Sequence, residues 1–423
     1  MFSNSIFKAY DIRGIYGKDF DEDFAFKLGA ALVLHLKRTK FLVAHDGRKF
    51  SHGLAQAITG GMVSAGADVF YTHFSTIPFF NFVFRKLGIS GGIMVTASHN
   101  TPEYGGFKIF GENGVVMGLE QGLYHIKEII TSGNLPASKY GGIKVEIDKE
   151  KFMGQYLAFA IAKSGINTGD LTNIKMRAII NGPAEEEVKA LFAKLNIENH
   201  SSGFEVAFSF DSDADRLYIF DKDEKPISAD LVFALIVRDS TRFWHKLRVV
   251  YDLRLSEGTL EKFREWGIRT YICRVGRAFM HQKMVQERAD LGGELSGHIY
   301  FKENNYFEMP LLSMLRLVKI MARSEMSIND LIKPFQTWFS SGEINIDVQY
   351  MQHSLEYLTS TLKGKYPDGQ LGELDGITIK YVDWWFNLRP SNTEPLVRLV
   401  IEAKTKDLLD EKVAELTEII KSS

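Results

Sequence analysis

The chain has 423 residues, 45% hydrophobic and 25% charged, with 51 Lys and Arg against 53 Asp and Glu for a net charge of −2. That length exceeds one ordinary core, so two to four domains are expected, and the charge balance offers no basic field to nucleic acid or anionic lipid. The single cysteine, Cys273, excludes an intrachain disulfide and a CxxC zinc site.

Met1 to Lys8 lacks the basic start and apolar stretch of a secretory signal, and no run approaches the roughly 20 apolar residues that span a bilayer. A cytoplasmic, monomeric protein with neither a nucleic-acid nor a membrane partner is the default expectation.

The first third alternates short apolar runs with helical patterns. Lys40-Phe-Leu-Val-Ala-His-Asp46 reads as a buried strand and 53–66 as the helix after it, followed by strands at 67–72 and 92–96. Strands separated by helices predict βαβ units and a largely parallel sheet. The same grammar returns at 177–194 and again at 248–273, as three diverged α/β units. From about residue 342 the pattern alternates like antiparallel strands, at 344–349, 377–381, 384–387 and 396–401, before a closing helix at 408–420.

Four loops carry chemistry. In Thr96-Ala-Ser-His-Asn-Thr-Pro-Glu-Tyr-Gly-Gly-Phe-Lys108, Ser98 stands on the turn after a buried strand, where a rigid scaffold exposes it, and Lys108 lies close enough in sequence to neutralise a phosphoryl group. A capped polar turn is the alternative. In Phe210-Asp-Ser-Asp-Ala-Asp-Arg216, alternate residues of an extended loop would aim Asp211, Asp213 and Asp215 at one point, where three carboxylates repel unless a cation joins them. Oxygen ligands without His or Cys favour Mg²⁺ or Ca²⁺ over zinc. An EF-hand is disfavoured, because Arg216 occupies the glycine position of such a loop and Lys222 its final glutamate.

The third loop is Gly292-Gly-Glu-Leu-Ser-Gly-His298. Glu294 and Ser296 could face sugar hydroxyls, and His298 could carry a proton near neutral pH; a glycine-rich turn is the alternative. The fourth is Leu388-Arg-Pro-Ser-Asn-Thr-Glu-Pro395, followed by Arg398. Arg389 brings a planar fork of donors, with Ser391, Asn392 and Thr393 beside it, a set suited to a phosphate that is not transferred.

Together with Phe7-Lys-Ala-Tyr-Asp-Ile-Arg-Gly14, these loops resemble the α-D-phosphohexomutases, in particular the phosphomannomutase/phosphoglucomutase branch, in the family's order and over nearly the whole chain. The resemblance implies an α/β protein: three tandem α/β domains with mixed or parallel sheets (1–147, 148–246, 247–338) and a C-terminal α+β, TATA-binding-protein-like domain (339–423), arranged around a central cleft. It implies a phosphoserine at Ser98 and one Mg²⁺ on Asp211, Asp213, Asp215 and a phosphoserine oxygen. Arg13, Lys108 and Arg216 would surround the transferring group, with His298 as proton carrier. Tyr10, Arg277, Glu294 and Ser296 would contact substrate, and Arg389, Ser391, Asn392, Thr393 and Arg398 would grip the distal phosphate. The implied reaction moves a phosphoryl group between the 1- and 6-positions of mannose or glucose phosphates, through a hexose 1,6-bisphosphate that also serves as activator.

Within the family, a phosphoglucosamine mutase is disfavoured by Asn392 and Leu295, where that branch has glycine and glutamine. A metal-dependent sugar phosphatase and a non-catalytic sugar-phosphate-binding protein are the rivals from other classes. The chain departs from the family at Ser212, where Asp-Gly-Asp is usual and a positive φ would strain serine, and at Arg277 and His281, where His and Lys are common. The 24-residue interval from Glu187 to Asp211 predicts a trimmed second unit with a smaller sheet.

Overall fold

The computed structural model describes residues 2–8, 11–89, 91–98, 100–111, 114, 116–135, 141–171, 174–180, 182–241, 246–347, 354–391 and 396–422, apart from the side chains of residues 120, 121 and 168. The run Phe41-Leu-Val-Ala44 is apolar at every position and wholly buried, as expected of a strand covered on both faces. It lies in β2 (Lys40–His45), which joins β1 (Ile12–Ile15), β3 (Asp68–Phe74), β4 (Gly92–Val95), β5 (Tyr104–Phe110) and β6 (Lys144–Glu146). Their order is β1-β5-β4-β2-β3-β6. The strands β4, β2, β3 and β6 are mutually parallel, whereas β5 returns antiparallel to β4 and β1 antiparallel to β5. That return makes the sheet mixed and sets Lys108 opposite Met94 and Arg13 opposite Gly106. The helix Glu22–Leu36, which the sequence reading passed over, crosses the helix Ser51–Ser64 so closely that a Cβ on Gly61 would stand 1.9 Å from the Phe26 carbonyl oxygen.

The second sheet holds β7 (Met176–Ala178), β8 (Val206–Phe210), β9 (Leu217–Asp221) and β10 (Pro226–Ile227), in the order β10-β9-β8-β7. It has the fewest strands of the four described sheets. The third orders β11 (Arg248–Asp252), β12 (Arg269–Cys273), β13 (Leu291–Gly293), β14 (Ile299–Phe301) and β15 (Phe307–Glu308) as β12-β11-β13-β14-β15. The fourth is antiparallel throughout: β16 (Phe339–Asp347), β17 (Gln370–Gly372), β18 (Ile377–Lys380), β19 (Trp384–Pro390) and β20 (Leu396–Ala403), in the order β16-β20-β19-β18-β17.

One device recurs in all four sheets. Each chemistry-bearing loop joins two antiparallel neighbours: β4 to β5 for Ser98, β8 to β9 for the aspartates, β13 to β14 for Glu294 to His298, and β19 to β20 for the segment after Arg389. A short return between paired strands fixes both ends of a loop at the sheet's edge.

One continuous apolar cluster runs from Leu42 and the helix Ile77–Leu87 through Phe208 and the helix Ala229–Thr241 to the helix Pro310–Ser324, so the first three sheets share a core. The fourth sheet and its helices Leu355–Lys365 and Lys406–Ser422 keep a separate core around Phe386 and Leu416. Trp338, Trp385 and Val400 form a small apolar group of their own. Among the described residues no helix is long and apolar enough to cross a membrane.

Candidate active site

Ser98 is 4% exposed and takes the left-handed backbone conformation, at φ 52°. A non-glycine residue there is strained and persists only where its surroundings hold it. Two contacts do so. Its N–H donates to Thr96 Oγ1 at 3.0 Å, and the Arg48 guanidinium donates to four carbonyls of the loop: Ser98 (2.7 Å), Asn100 (2.8 Å), Thr101 (2.7 Å) and Tyr104 (3.0 Å). Arg48 is oriented in turn by Asp46 at 3.2 Å.

The aspartate loop reaches this serine. Ser98 Oγ donates to Asp213 Oδ1 at 3.2 Å, and the Ile77 N–H, at the start of a first-unit helix, donates to the Asp213 carbonyl at 3.0 Å. The loop is a turn rather than the extended segment predicted, and the positive φ falls on Ala214 (58°), not on Ser212. The aspartates converge because the chain reverses at Ala214. Carboxylate oxygens of Asp211, Asp213 and Asp215 lie within 4.8 Å of one another. Burial alone would raise the pKa of all three. It does so for Asp211, helped by Asp215 and Asp213. Lys108 overrides burial at Asp213, and Lys108 with His298 holds Asp215 well below the carboxylate range. Lys108 Nζ contacts Asp213 and lies 3.2 Å from Asp215. Asp211 Oδ2 is buried with no hydrogen-bond partner among the described residues, its nearest cation being Arg216 Nε at 3.6 Å. Three crowded carboxylates with one oxygen unpartnered fit a divalent cation bound through oxygen.

Further cations close the pocket. Arg13 donates to Asp11 (2.8 Å), to the Ala97 carbonyl (3.3 Å) and to Asn100 (2.7 Å). Arg277 Nε lies 2.6 Å from Glu308, with its guanidinium 5.4 Å from the Phe110 ring centre. Burial opposes both charges; Asp11 sustains Arg13, and Glu308 with Asp215 sustains Arg277. His281 does not join them. It is buried against Phe307, and burial, with Arg277 nearby, lowers its pKa to about 4, leaving it neutral.

The third loop forms one network. His298 Nε2 lies 3.1 Å from Asp215 Oδ1, while its Nδ1 lies 3.0 Å from Ser296 Oγ and 3.2 Å from Glu294 Oε2. Burial pushes His298 down, but Asp215 and Glu294 outweigh it and lift the pKa to about 10. Glu294 also accepts from the Gly276 N–H (3.1 Å) and the Tyr300 hydroxyl (2.6 Å). Burial would raise its pKa, and these partners hold it near about 2.

In the fourth sheet Arg389 and Arg398 stand directly opposite each other on β19 and β20. Both donate to Glu343, at 3.0 and 2.9 Å. Arg254 donates to the same carboxylate at 2.7 Å while gripping Asp252.

These groups surround one cavity of about 1020 Å³. Arg13, Ser98 and Lys108 line it from the first sheet, and Asp215 and Arg216 from the second. Arg277, Glu294, Ser296 and His298 face it from the third, and Arg389, Ser391 and Arg398 from the fourth. Asp211 and Asp213 adjoin its wall through Asp215. Tyr10, Asn392 and Thr393 lie outside the described residues. The sequence reading missed Arg48, Arg254, Glu343 and Glu308. A signal for two of them was present: Asp11-x-Arg13, Asp46-x-Arg48 and Asp252-x-Arg254 each pair a carboxylate with a guanidinium two residues on, the latter two at the ends of parallel strands, where open α/β sheets place their sites.

The phosphoglucomutase/phosphomannomutase family models match three stretches of the chain: alpha/beta/alpha domain I at residues 4–136, alpha/beta/alpha domain III at 228–338 and the C-terminal domain at 344–419. A phosphomannomutase of Methanocaldococcus jannaschii is 33% identical over 98% of this chain and 97% of its own. One of Escherichia coli is 27% identical over 98% and 99%. The crystal structure of a phosphoglucomutase/phosphomannomutase family protein from Burkholderia thailandensis superposes with a TM-score of 0.85 at 26% identity, covering 100% of this chain and 98% of that one. The resemblance carried by the four loops is thereby borne out: the chain belongs to the phosphoglucomutase/phosphomannomutase family of α-D-phosphohexomutases and catalyses phosphoryl transfer on hexose phosphates.

Proposed function

We propose that this enzyme interconverts the 1- and 6-phosphates of mannose, glucose or both, through a phosphorylated Ser98 and a hexose 1,6-bisphosphate. The observation that carries the reading is the meeting of Ser98 Oγ with Asp213 at 3.2 Å, in a cavity that also holds Lys108, Arg13 and the arginine pair Arg389 and Arg398. The reading gives one site loop to each of four units, 1–147, 148–246, 247–338 and 339–423.

Asp211, Asp213 and Asp215, with an oxygen of phosphorylated Ser98, would hold one Mg²⁺. That ion supplies positive charge beside the transferring phosphoryl group. Phosphoryl transfer asks little covalent work of a protein; positioning and charge neutralisation do most of it. Arg13 and Lys108 are fixed beside Ser98, and Arg216 and Arg277 enter from two other sheets. The free sugar hydroxyl takes the phosphoryl group from Ser98: the new phosphorus–oxygen bond to the sugar forms as the one to serine breaks, and the hydroxyl proton ends on the released serine oxygen. After the bisphosphate reverses in the cavity, its other phosphate returns to the same serine. A single transfer site therefore serves both ends of the sugar, and Arg389, Ser391, Asn392, Thr393 and Arg398 grip whichever phosphate is distal. Glu294 and Ser296 are placed to read hydroxyls between them. His298, charged at neutral pH, is suited to donate a proton or to act as a fixed cation rather than to accept one.

The test is incubation with mannose 1-phosphate or glucose 1-phosphate, Mg²⁺ and a trace of the hexose 1,6-bisphosphate. Formation of the 6-phosphate supports the reading. Free phosphate alone indicates a phosphatase, and no conversion of either sugar phosphate indicates a binding protein.

A further inference from the structure

The arginines assigned to the distal phosphate already share a resident anion. Glu343 sits on β16 just past an irregularity in its pairing with β20, where Gly342 takes φ 65°. Its Oε1 accepts from Arg398 NH1 at 2.9 Å. Its Oε2 accepts from Arg389 NH2 at 3.0 Å and from Arg254 NH1 at 2.7 Å. All four residues line the cavity, and the side chains of Arg254 and Arg389 are each 4% exposed.

Two features call for such a carboxylate. Like charges directly opposite on paired strands repel, and Arg389 and Arg398 are paired in that way. The third guanidinium, Arg254, comes from the end of β11 in a different sheet, where Asp252 fixes it through two bonds of 3.2 and 2.6 Å. Glu343 therefore ties together three cations that would otherwise spread apart, and it does so across the junction between the third and fourth sheets. Each arginine gives Glu343 only one terminal nitrogen. A guanidinium has five N–H donors, and Arg389 Nε has no hydrogen-bond partner among the described residues. The carboxylate and a phosphate can thus be held at once. The three guanidiniums outnumber the two carboxylates bonded to them, Asp252 and Glu343.

We propose that Glu343 is a positioning residue of the phosphate subsite, which aims Arg389 and Arg398 into the cavity and locks their spacing to Arg254 without itself contacting substrate. The inference rests on the reading of Arg389 and Arg398 as the distal-phosphate grip.

Full-length Glu343→Gln, Glu343→Asp and Arg389→Lys are compared with wild type by steady-state conversion of hexose 1-phosphate and by inhibition with inorganic phosphate. Glutamine keeps the shape but turns one acceptor into a donor facing an arginine, so KM and the phosphate inhibition constant should both rise roughly tenfold, with aspartate between the two. A structural defect alone would lower kcat through loss of active protein and leave both constants in place; that result overturns the proposal. So does a fall in KM, which would mean that Glu343 competes with phosphate instead of arranging its site. Should glutamine prevent folding, the aspartate variant decides alone: raised constants support the proposal and unchanged ones refute it. If Arg389→Lys raises KM while both Glu343 variants leave it unchanged, only this inference fails; if Arg389→Lys also changes nothing, the phosphate-grip reading fails with it.

Discussion

Ser98 and Asp213 are 115 positions apart in sequence, yet Ser98 Oγ donates to Asp213 Oδ1 at 3.2 Å. The contact joins the return loop of the first sheet to that of the second, so the hydroxyl proposed to carry the phosphoryl group and a carboxylate proposed to hold the metal face each other before any ligand arrives. Backbone and side-chain bonds keep them there: the Ile77 N–H on the Asp213 carbonyl and Thr76 on Glu187 behind it.

Arg48 does not line the cavity, yet it holds four carbonyls around Ser98. A lysine keeps the charge but presents no planar fork. Arg48→Lys should therefore lower kcat on the order of tenfold to a hundredfold, by loosening the loop, with KM changed much less. Steady-state kinetics checks this; a rise confined to KM contradicts it.

Lys108 stands in for part of the positive charge the three aspartates need. Without it the carboxylates repel more strongly. Lys108→Met should melt lower than wild type in the presence of a chelator, and added Mg²⁺ should raise its melting temperature by more than it raises that of wild type. Equal shifts in the two proteins would show that lysine and metal do not share the same carboxylates. Activity of the variant should fall roughly a hundredfold or more, since the ammonium is also lost from the transfer site.

Glu187 is buried beneath the aspartate loop, and burial lifts its pKa from 4.5 to about 7 against the opposing bond from Thr76. Its folded value lies above its unfolded one, so its contribution to stability is complete below about pH 4.5 and disappears as pH rises through about 7. The change over that window is about 3 kcal/mol. Glu187→Gln should flatten the dependence of melting temperature on pH across this range and leave the variant the more stable protein above it. An unchanged slope contradicts the assignment.

Much of the site was legible because its chemistry lies in short contiguous runs. Ser98, the alternating aspartates, the Glu294–His298 loop and the Arg389 fork each announce themselves within a few residues, and the strands before the first two, β4 and β8, are apolar at nearly every position. The mixed character of the first sheet was harder to read, because β5 carries the glycine pair Gly105-Gly106 and reads as loop, although it is the strand that delivers Lys108. The strain that a positive φ would place on Ser212 does not arise, because the left-handed residue is Ala214, and nothing in the local sequence separates the two positions. Glu343 escaped notice for a related reason. Its meaning is a pairing with Arg254 across 89 positions, and no local pattern specifies a partner that far away.

Ser98 is the proposed phosphoryl carrier, and a direct measurement can locate the group. The purified enzyme would be treated with hexose 1,6-bisphosphate and Mg²⁺, digested, and the phosphorylated peptide located by fragmentation mass spectrometry, alongside Ser98→Ala. The phosphoryl group should be found on Ser98 in the wild type and on no residue of the variant, which should stay folded without isomerising hexose phosphates. A phosphoryl group on a different residue, or full turnover by Ser98→Ala, would contradict it.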